Sequence, residues 1–215
     1  MKELSKSEIY TSVRAFLDEL GENDAEFILS DKDSSELNTI IDKVTPLSVR
    51  NVHIGAPYRM LEGEDVTSDS NLVVDGMDVG YIPLDDDFLR LVKVRIGAWK
   101  VPVTEVITED SPEYRMQQNP YTRGTTRKPV CALVYTADDE GVIQPWLELY
   151  VCPDSGDNPT SVVILREPKW EEDKIKVCPK LENSILMQIT GQVLLALGEE
   201  QRAQTFLSLS TNYSQ

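Results

Sequence analysis

Apolar residues recur with the period of a helix at both ends of this chain and with the period of a strand in its middle, and that switch confines it to an α+β fold. Ile9, Val13, Phe16, Leu17 and Leu20 stand three or four residues apart. Ser5 and Glu8 precede them in the form of a capping box, in which each side chain bonds the other's backbone N–H. Gly21 is placed to close this helix. Residues 25–29 form a short apolar connector. Asp33 and Glu36 repeat the capping device before a second stripe of Leu37, Ile40, Ile41 and Val44. Pro46 allows two readings: a kink in one helix, or the first turn of a third helix capped by Thr45. Leu47, Val49, Val52 and Ile54 carry the apolar pattern on to Gly55 and Pro57. The result is an α-hairpin that needs a partner surface. At the far end, residues 179–209 are helical: Ile185, Leu186, Ile189, Val193, Leu194 and Leu197 form a stripe that Gly198 interrupts and Ala203, Phe206, Leu207 and Leu209 resume. The last six residues are polar and expected to be flexible.

Between these ends the texture changes. Residues 62–80 are acidic and rich in Gly, Ser and Asn, which suits a long loop or a loose hairpin. Residues 81–88 read as a strand end followed by a tight acidic turn at Asp85, Asp86 and Asp87. Residues 89–96 alternate apolar and basic, the mark of a strand with one face buried. Gly97 and Ala98 suit a turn, and residues 99–106 a returning strand that Pro102 places at a sheet edge. Residues 109–128 are too long for a plain connection, so they are expected to be functional or to gain order from a partner. Strands follow at 129–136, 144–152 and 161–166. The first two are joined as a hairpin through 138–141, and the second and third are linked by 154–159. The expected division is a helical part, 1–61 with 179–215, and a β-rich part, 62–178, integrated in one subunit. The N- and C-terminal helices then pack as a bundle around or beside a mostly antiparallel β region.

The chemistry on offer is thin. Cys131, Cys152 and Cys178 are too scattered for a zinc site or a disulfide scaffold, and read as small buried thiols of a protein made in a reducing compartment. Cys131 and Cys152 could face each other on neighbouring strands. The lone histidine, His53, reads as a structural side chain on a helix. Three consecutive aspartates point to alternate sides of an extended chain and suit a turn better than a cation. Glu109, Glu113, Glu171 and Glu172 offer a carboxylate pair of the kind any acidic protein carries. Trp99, Trp146 and Trp170 read as core or interface anchors among strand residues. No phosphate loop, dinucleotide fingerprint or nucleophile elbow occurs. No catalytic, metal or cofactor-binding residue is therefore assigned. The net charge of −16 repels nucleic acid. The nearest basic group, Arg123, Arg127 and Lys128, lies in a Gly/Thr loop. No apolar run is long enough for a membrane span, and the polar start, Met1 to Lys6, is not a secretory signal.

The order of parts resembles a known family. A capped N-terminal helix leads to a second helix bearing Glu36, Leu37, Asn38, Thr39, Ile40 and Ile41. Then come Pro83, Leu84, Asp87, Phe88, Leu89 and Arg90 in the run 82–95, and Trp99 and Pro102 in the return 99–105. A Tyr/Pro/Gly-rich excursion, the strand 147–150 before Pro153, and a last helix with 200–207 complete the pattern. This is similar to the head-to-tail adaptor proteins of short-tailed bacteriophages, the tail tubular protein A-like or ring proteins. It looks closest to the first ring protein of crAss-like phages.

The resemblance implies a structural virion protein and no enzyme. Twelve copies would form a ring under a portal, with further tail ring or nozzle proteins below. The chain would assemble in the host cytoplasm, end in the virion neck, and touch no membrane. DNA would slide without sequence-specific binding through a channel lined by carboxylates. By position, Gln201, Gln204, Thr205, Leu209 and Tyr213 would meet the portal. Tyr114, Arg115, Tyr121, Arg123 and Arg127 would meet a tail component or a neighbouring copy. Two alternatives stand beside this reading: a small carboxylate-dependent hydrolase of phage or host, and an acidic module that mimics DNA.

Overall fold

Two units divide the chain, the second inserted in the first: Met1–Glu62 with Glu167–Gln215, and Gly63–Arg166 between them. The computed structural model describes residues 1–19, 31–74, 78–137, 143–152 and 159–213, and the side chains of all of these except 18, 19 and 31–34. The expected helix stop at Gly21, the connector 25–29, the hairpin tip 138–141 and the link 154–158 lie outside the described residues.

In chain order the elements begin with β1 (Lys2–Ser5), α1 (Lys6–Glu19) and α2 (Asp31–Gly55). The inserted unit holds β2 (Glu64–Asp65), β3 (Val73–Val74), β4 (Val79–Pro83), β5 (Phe88–Ile96), β6 (Ile107–Thr108), α3 (Pro112–Gln117), β7 (Cys131–Ala137), β8 (Ile143–Tyr150) and β9 (Pro159–Arg166). The first unit resumes with β10 (Lys174–Val177), α4 (Glu182–Ala196) and α5 (Glu200–Tyr213). The fold is α+β, with antiparallel or mixed sheets.

In the first unit the capping box forms as the spacing predicts. Ser5 N–H donates to Glu8 Oε2 at 2.8 Å, and Glu8 N–H donates to Ser5 Oγ at 3.3 Å. The Ser5 hydroxyl, donating to Glu8 Oε2 at 2.6 Å, and then the Ser5 N–H hold the Glu8 carboxyl below its ordinary range. Asp33 is not a cap, because α2 already runs at Asp31. Nor does a third helix start at Pro46. α2 runs through it, and Thr45 is buried with its hydroxyl donating to Ile41 O at 2.7 Å. Proline lacks the N–H that would bond the carbonyl four residues back. Trp170 replaces it, its indole Nε1 donating to Asp42 O at 3.0 Å.

α1 and α2 each pack more on α4 than on one another, so α4 is the partner surface that the sequence called for. Leu47 and Ile54 break the expected stripe, since both are exposed while Val49 and Val52 are buried. α4 ends in a Schellman turn: Gly198 N–H donates to Leu195 O, Glu199 N–H to Leu194 O, and Gly198 takes φ +85°. α5 returns along α4, and a Cβ at Gly191 would stand 2.8 Å from Leu207 Cδ2, which fixes how close the two helices come. Phe206 packs with its ring centroid 6.0 Å from that of Phe16. The C-terminal end is not loose as expected. α5 extends to Tyr213, and Ser210, buried, exchanges hydrogen bonds with Ser184.

Two strands of the first unit have no counterpart in the sequence pattern. β1 pairs antiparallel with β10, Leu4 opposite Ile175. That pairing ties residues 167–178 to the helical part, and so moves the second boundary from 178/179 to 166/167. β10 alternates charged and apolar over only four positions and β1 has a single apolar residue, Leu4, so neither carries a period.

The inserted unit holds a three-stranded sheet, β2-β9-β5, and a five-stranded one, β3-β4-β8-β7-β6. Ile82, Leu91, Val94, Ile96, Leu147, Leu149, Val162 and Ile164 from both sheets share one buried core with Trp99. Cys131 and Cys152 lie in this core, buried and unbridged. The loose hairpin expected in 62–80 is present as β3 against β4, while Glu64 and Asp65 instead pair with β9. β5 carries register shifts at Leu89 and Val92, so its burial does not alternate cleanly. The returning strand expected at 99–106 is absent. One bridge, Val94 with Val103, remains, and β6 beyond it runs parallel to β7. Pro102 has no N–H to give, and Trp99 turns into the core, its Nε1 donating to Val151 O at 3.0 Å.

Candidate interaction surface

The five-stranded sheet turns Tyr81, Trp146, Glu148 and Tyr150 to its second face, away from the shared core. Glu148 is a buried carboxylate set between Tyr81 and Ala132 on the flanking strands. Burying a charge demands a donor. Tyr114 supplies it, its hydroxyl donating to Glu148 Oε2 at 2.9 Å. Burial first, and this bond second, push the Tyr114 hydroxyl up to about 12. Burial and Glu148 also push the Tyr150 hydroxyl up.

Tyr114 arrives there on α3. Ser111 caps that helix, its Oγ accepting from Tyr114 N–H, with Pro112 in the first turn. Gln117, buried, then knits the return: its Nε2 donates to Glu113 O, its Oε1 accepts from Gly124 N–H at 2.8 Å, and its carbonyl accepts from Arg123 Nε at 3.0 Å. The excursion 109–128 is thus tied together by bonds of its own. Arg123 also lies over the Tyr150 ring, 5.9 Å from its centroid. Tyr114 and Arg123, expected as contacts, both make bonds inside the unit and are half-buried.

What the excursion presents is its tip. Tyr121 is 97% exposed and Met116 50%. Arg115, Arg127 and Lys128 are exposed around them, and from Tyr114 to Ala137 the chain carries four bases and no acid. Lys100 joins this side, its backbone N–H donating to Thr126 O at 2.7 Å. On a chain of charge −16, the tip is a local cationic and aromatic patch.

The motif residues of 83–102 are structural. Leu84 and Trp99 are buried, and Pro83 ends β4 opposite Trp146. Phe88 closes the acidic turn through its N–H to Asp85 O at 3.0 Å. Asp85 and Asp87 grip Arg166 Nη1 at 2.7 and 2.5 Å, and Glu64 takes its Nε at 3.1 Å. The aspartate run is thus a turn that locks the end of β9. Leu89 and Arg90 line a cleft of about 300 Å³ with Thr104, Glu105 and Leu133, and Pro102 stands exposed in the loop. Glu109 and Glu113 belong to this unit and Glu171 and Glu172 to the other; Glu109 accepts from Tyr135 N–H, and Glu171 meets Lys176 at 3.2 Å. Trp146 lies on β8 as read, whereas Trp99 and Trp170 sit in loops.

In the first unit, Gln201, Gln204 and Thr205 are exposed on α5, Leu209 is half-buried, and Tyr213 is 53% exposed. His53 is buried in α2 and accepts from Cys178 N–H through Nε2 at 3.3 Å, a structural role. Among the described residues no helix is long and apolar enough to cross a membrane. No protein-family model matches this chain, and no curated protein matches it.

Proposed function

We propose that the chain is one subunit of the adaptor ring between portal and tail in a short-tailed, crAss-like bacteriophage. The observation that carries this reading is the run 82–95 with its return 99–105, set between capped terminal helices in the order of the ring proteins. In this fold the run serves as scaffold: it makes the acidic turn, β5 and the Trp99 anchor of the inserted unit. A self-ordered excursion then holds Tyr121, Arg115 and Arg127 out as a rigid tip, suited to a tail component or a neighbouring copy. Rigid aromatic and arginine side chains at such a tip fit the anchors that interfaces favour. The exposed α5 residues Gln201, Gln204, Thr205 and Tyr213 suit the portal.

Such a protein needs no catalysis or cofactor. It acts by heterologous contacts that close a ring of twelve, and by carboxylates that let DNA slide without holding it. Its place is the virion neck, after assembly in the host cytoplasm.

The test mixes the full chain with the portal protein of the same genome and records native mass and negative-stain images. Twelve copies on a portal ring are expected. A chain that ignores the portal at micromolar concentration sinks the reading.

A further inference from the structure

Two patches of the first unit, each apolar at its centre and opposite in the sign of its excess charge, match one another. The first is the outer face of α2. Leu47 is 53% exposed and Ile54 44%, one heptad apart and so on one face, about 10 Å from one another along the axis. Lys43, Arg50 and Asn51 fall beside them at three- and four-residue spacings. Tyr58, 52% exposed, follows in the turn beyond. From Lys43 to Met60 the chain has three bases and no acid. Glu167 reaches this face and accepts from Arg50 Nε at 3.0 Å, while Lys43 is exposed one turn before Leu47.

The second patch is the α4–α5 corner. Seven consecutive residues, 195–201, are exposed there. Leu195 is 41% exposed and Leu197 43%, with Glu199 and Glu200 next to them. Between Lys180 and Arg202 the chain has no base, and Arg202 is turned to Leu17 O at 3.3 Å. The Schellman bonds and the left-handed Gly198 hold the corner in one shape, so its leucines are presented without an ordering cost.

We infer that the Lys43–Leu47–Ile54 face of one copy docks on the Leu195–Leu197–Glu199–Glu200 corner of the next copy. Leucines meet leucine and isoleucine, and Lys43 meets the paired glutamates. The two patches are different surfaces of one unit, so the contact is heterologous and every copy carries both halves. A contact of that type propagates from copy to copy, and closes as a ring where its rotation divides a full turn. The inference rests on the ring reading and names the subunit contact that would build it.

Cysteine pairs test it, since Cys131, Cys152 and Cys178 are all buried. Full-length Leu47→Cys and Leu197→Cys proteins are mixed, with and without the portal protein, and oxidised mildly. The mixture is expected to give a disulfide-linked dimer, the double variant a ladder of higher species, and neither single variant a dimer. Lys43→Glu should cut the dimer yield several-fold, and Glu200→Lys in the other copy should restore it. Dimers from either single variant alone, or no cross-link in any mixture, overturn the inference. Portal-bound collars without cross-links remove this contact and leave the ring reading standing. Cross-links without portal binding keep the contact and remove the ring reading.

Discussion

His53 shows how a single side chain carries both packing and pH dependence. It is 1% exposed, and burial pushes its imidazole down to about 4 from 6.5. Its Nε2 is an acceptor for Cys178 N–H, a role that the charged ring cannot fill. The unfolded chain takes a proton near pH 6.5 and the folded chain only near pH 4, so between these values the unfolded state binds more protons. Stability from this residue is therefore complete above pH 6.5, falls as pH drops towards 4, and is flat below that. The loss should reach about 3 kcal/mol, at about 1.4 kcal/mol per pH unit. Urea midpoints from pH 7.5 to 4 should show this slope in the native chain and lose it in His53→Gln. Tyr114 makes a second case. Tyr114→Phe keeps the ring and leaves Glu148 buried without its donor, at a cost of about 1–3 kcal/mol. Hydrogen exchange at the amides of 114–118 should rise with it. Unchanged exchange there would mean that Gln117 alone holds the excursion.

At the scale of elements, the helices depend on contacts from distant parts of the chain. α2 passes through Pro46 because Trp170 bonds the Asp42 carbonyl that proline leaves open. Trp170→Phe is expected to cost about 1 kcal/mol for that bond. In the Pro46→Ala background, where the helix supplies its own N–H, the same change should cost measurably less. A double-mutant cycle by chemical denaturation reads the difference directly, and additivity would remove the account. The α4–α5 corner, by contrast, depends on its own glycine. Gly198→Ala forces a side chain into φ +85°, at about 1–2 kcal/mol. No atom lies within 4 Å of the added Cβ, so that cost is backbone strain alone, read as a lower urea midpoint. The two phenotypes differ in kind: one is tertiary, the other is local.

At the scale of the molecule, the inserted unit is closed at its own neck. Glu64 lies opposite Ile164, so the first and last residues of Gly63–Arg166 are brought side by side. Its core also draws on both of its own sheets. The excised unit is therefore expected to unfold as one cooperative transition, with Trp99 and Trp146 reporting together. Separate transitions of these two signals would show that its core is not complete in itself.

Much of this fold was legible in the sequence. Helical periodicity, the Ser5–Glu8 box and Gly198 are local signals, and they placed α1, α2, α4 and α5 because each needs only neighbours within a few residues. The hairpin of β7 and β8 and the acidic turn were equally local. The strands β1 and β10 were not, since four residues have no period and their pairing spans most of the chain. The return 99–106 looked like a strand by composition, but burial of Trp99 outweighed pairing. The candidate surface was legible in outline only. Sequence pointed to the Tyr- and Arg-rich excursion, yet which members face outward depended on one buried carboxylate. Glu148 captures Tyr114, Tyr150 sits under Arg123, and Tyr121 and Arg127 are left at the tip. Local spacing therefore determined the four long helices and the β7–β8 hairpin of this protein. Exposure, and with it the surfaces that can meet a partner, was decided by long-range contacts that no stretch of sequence contains.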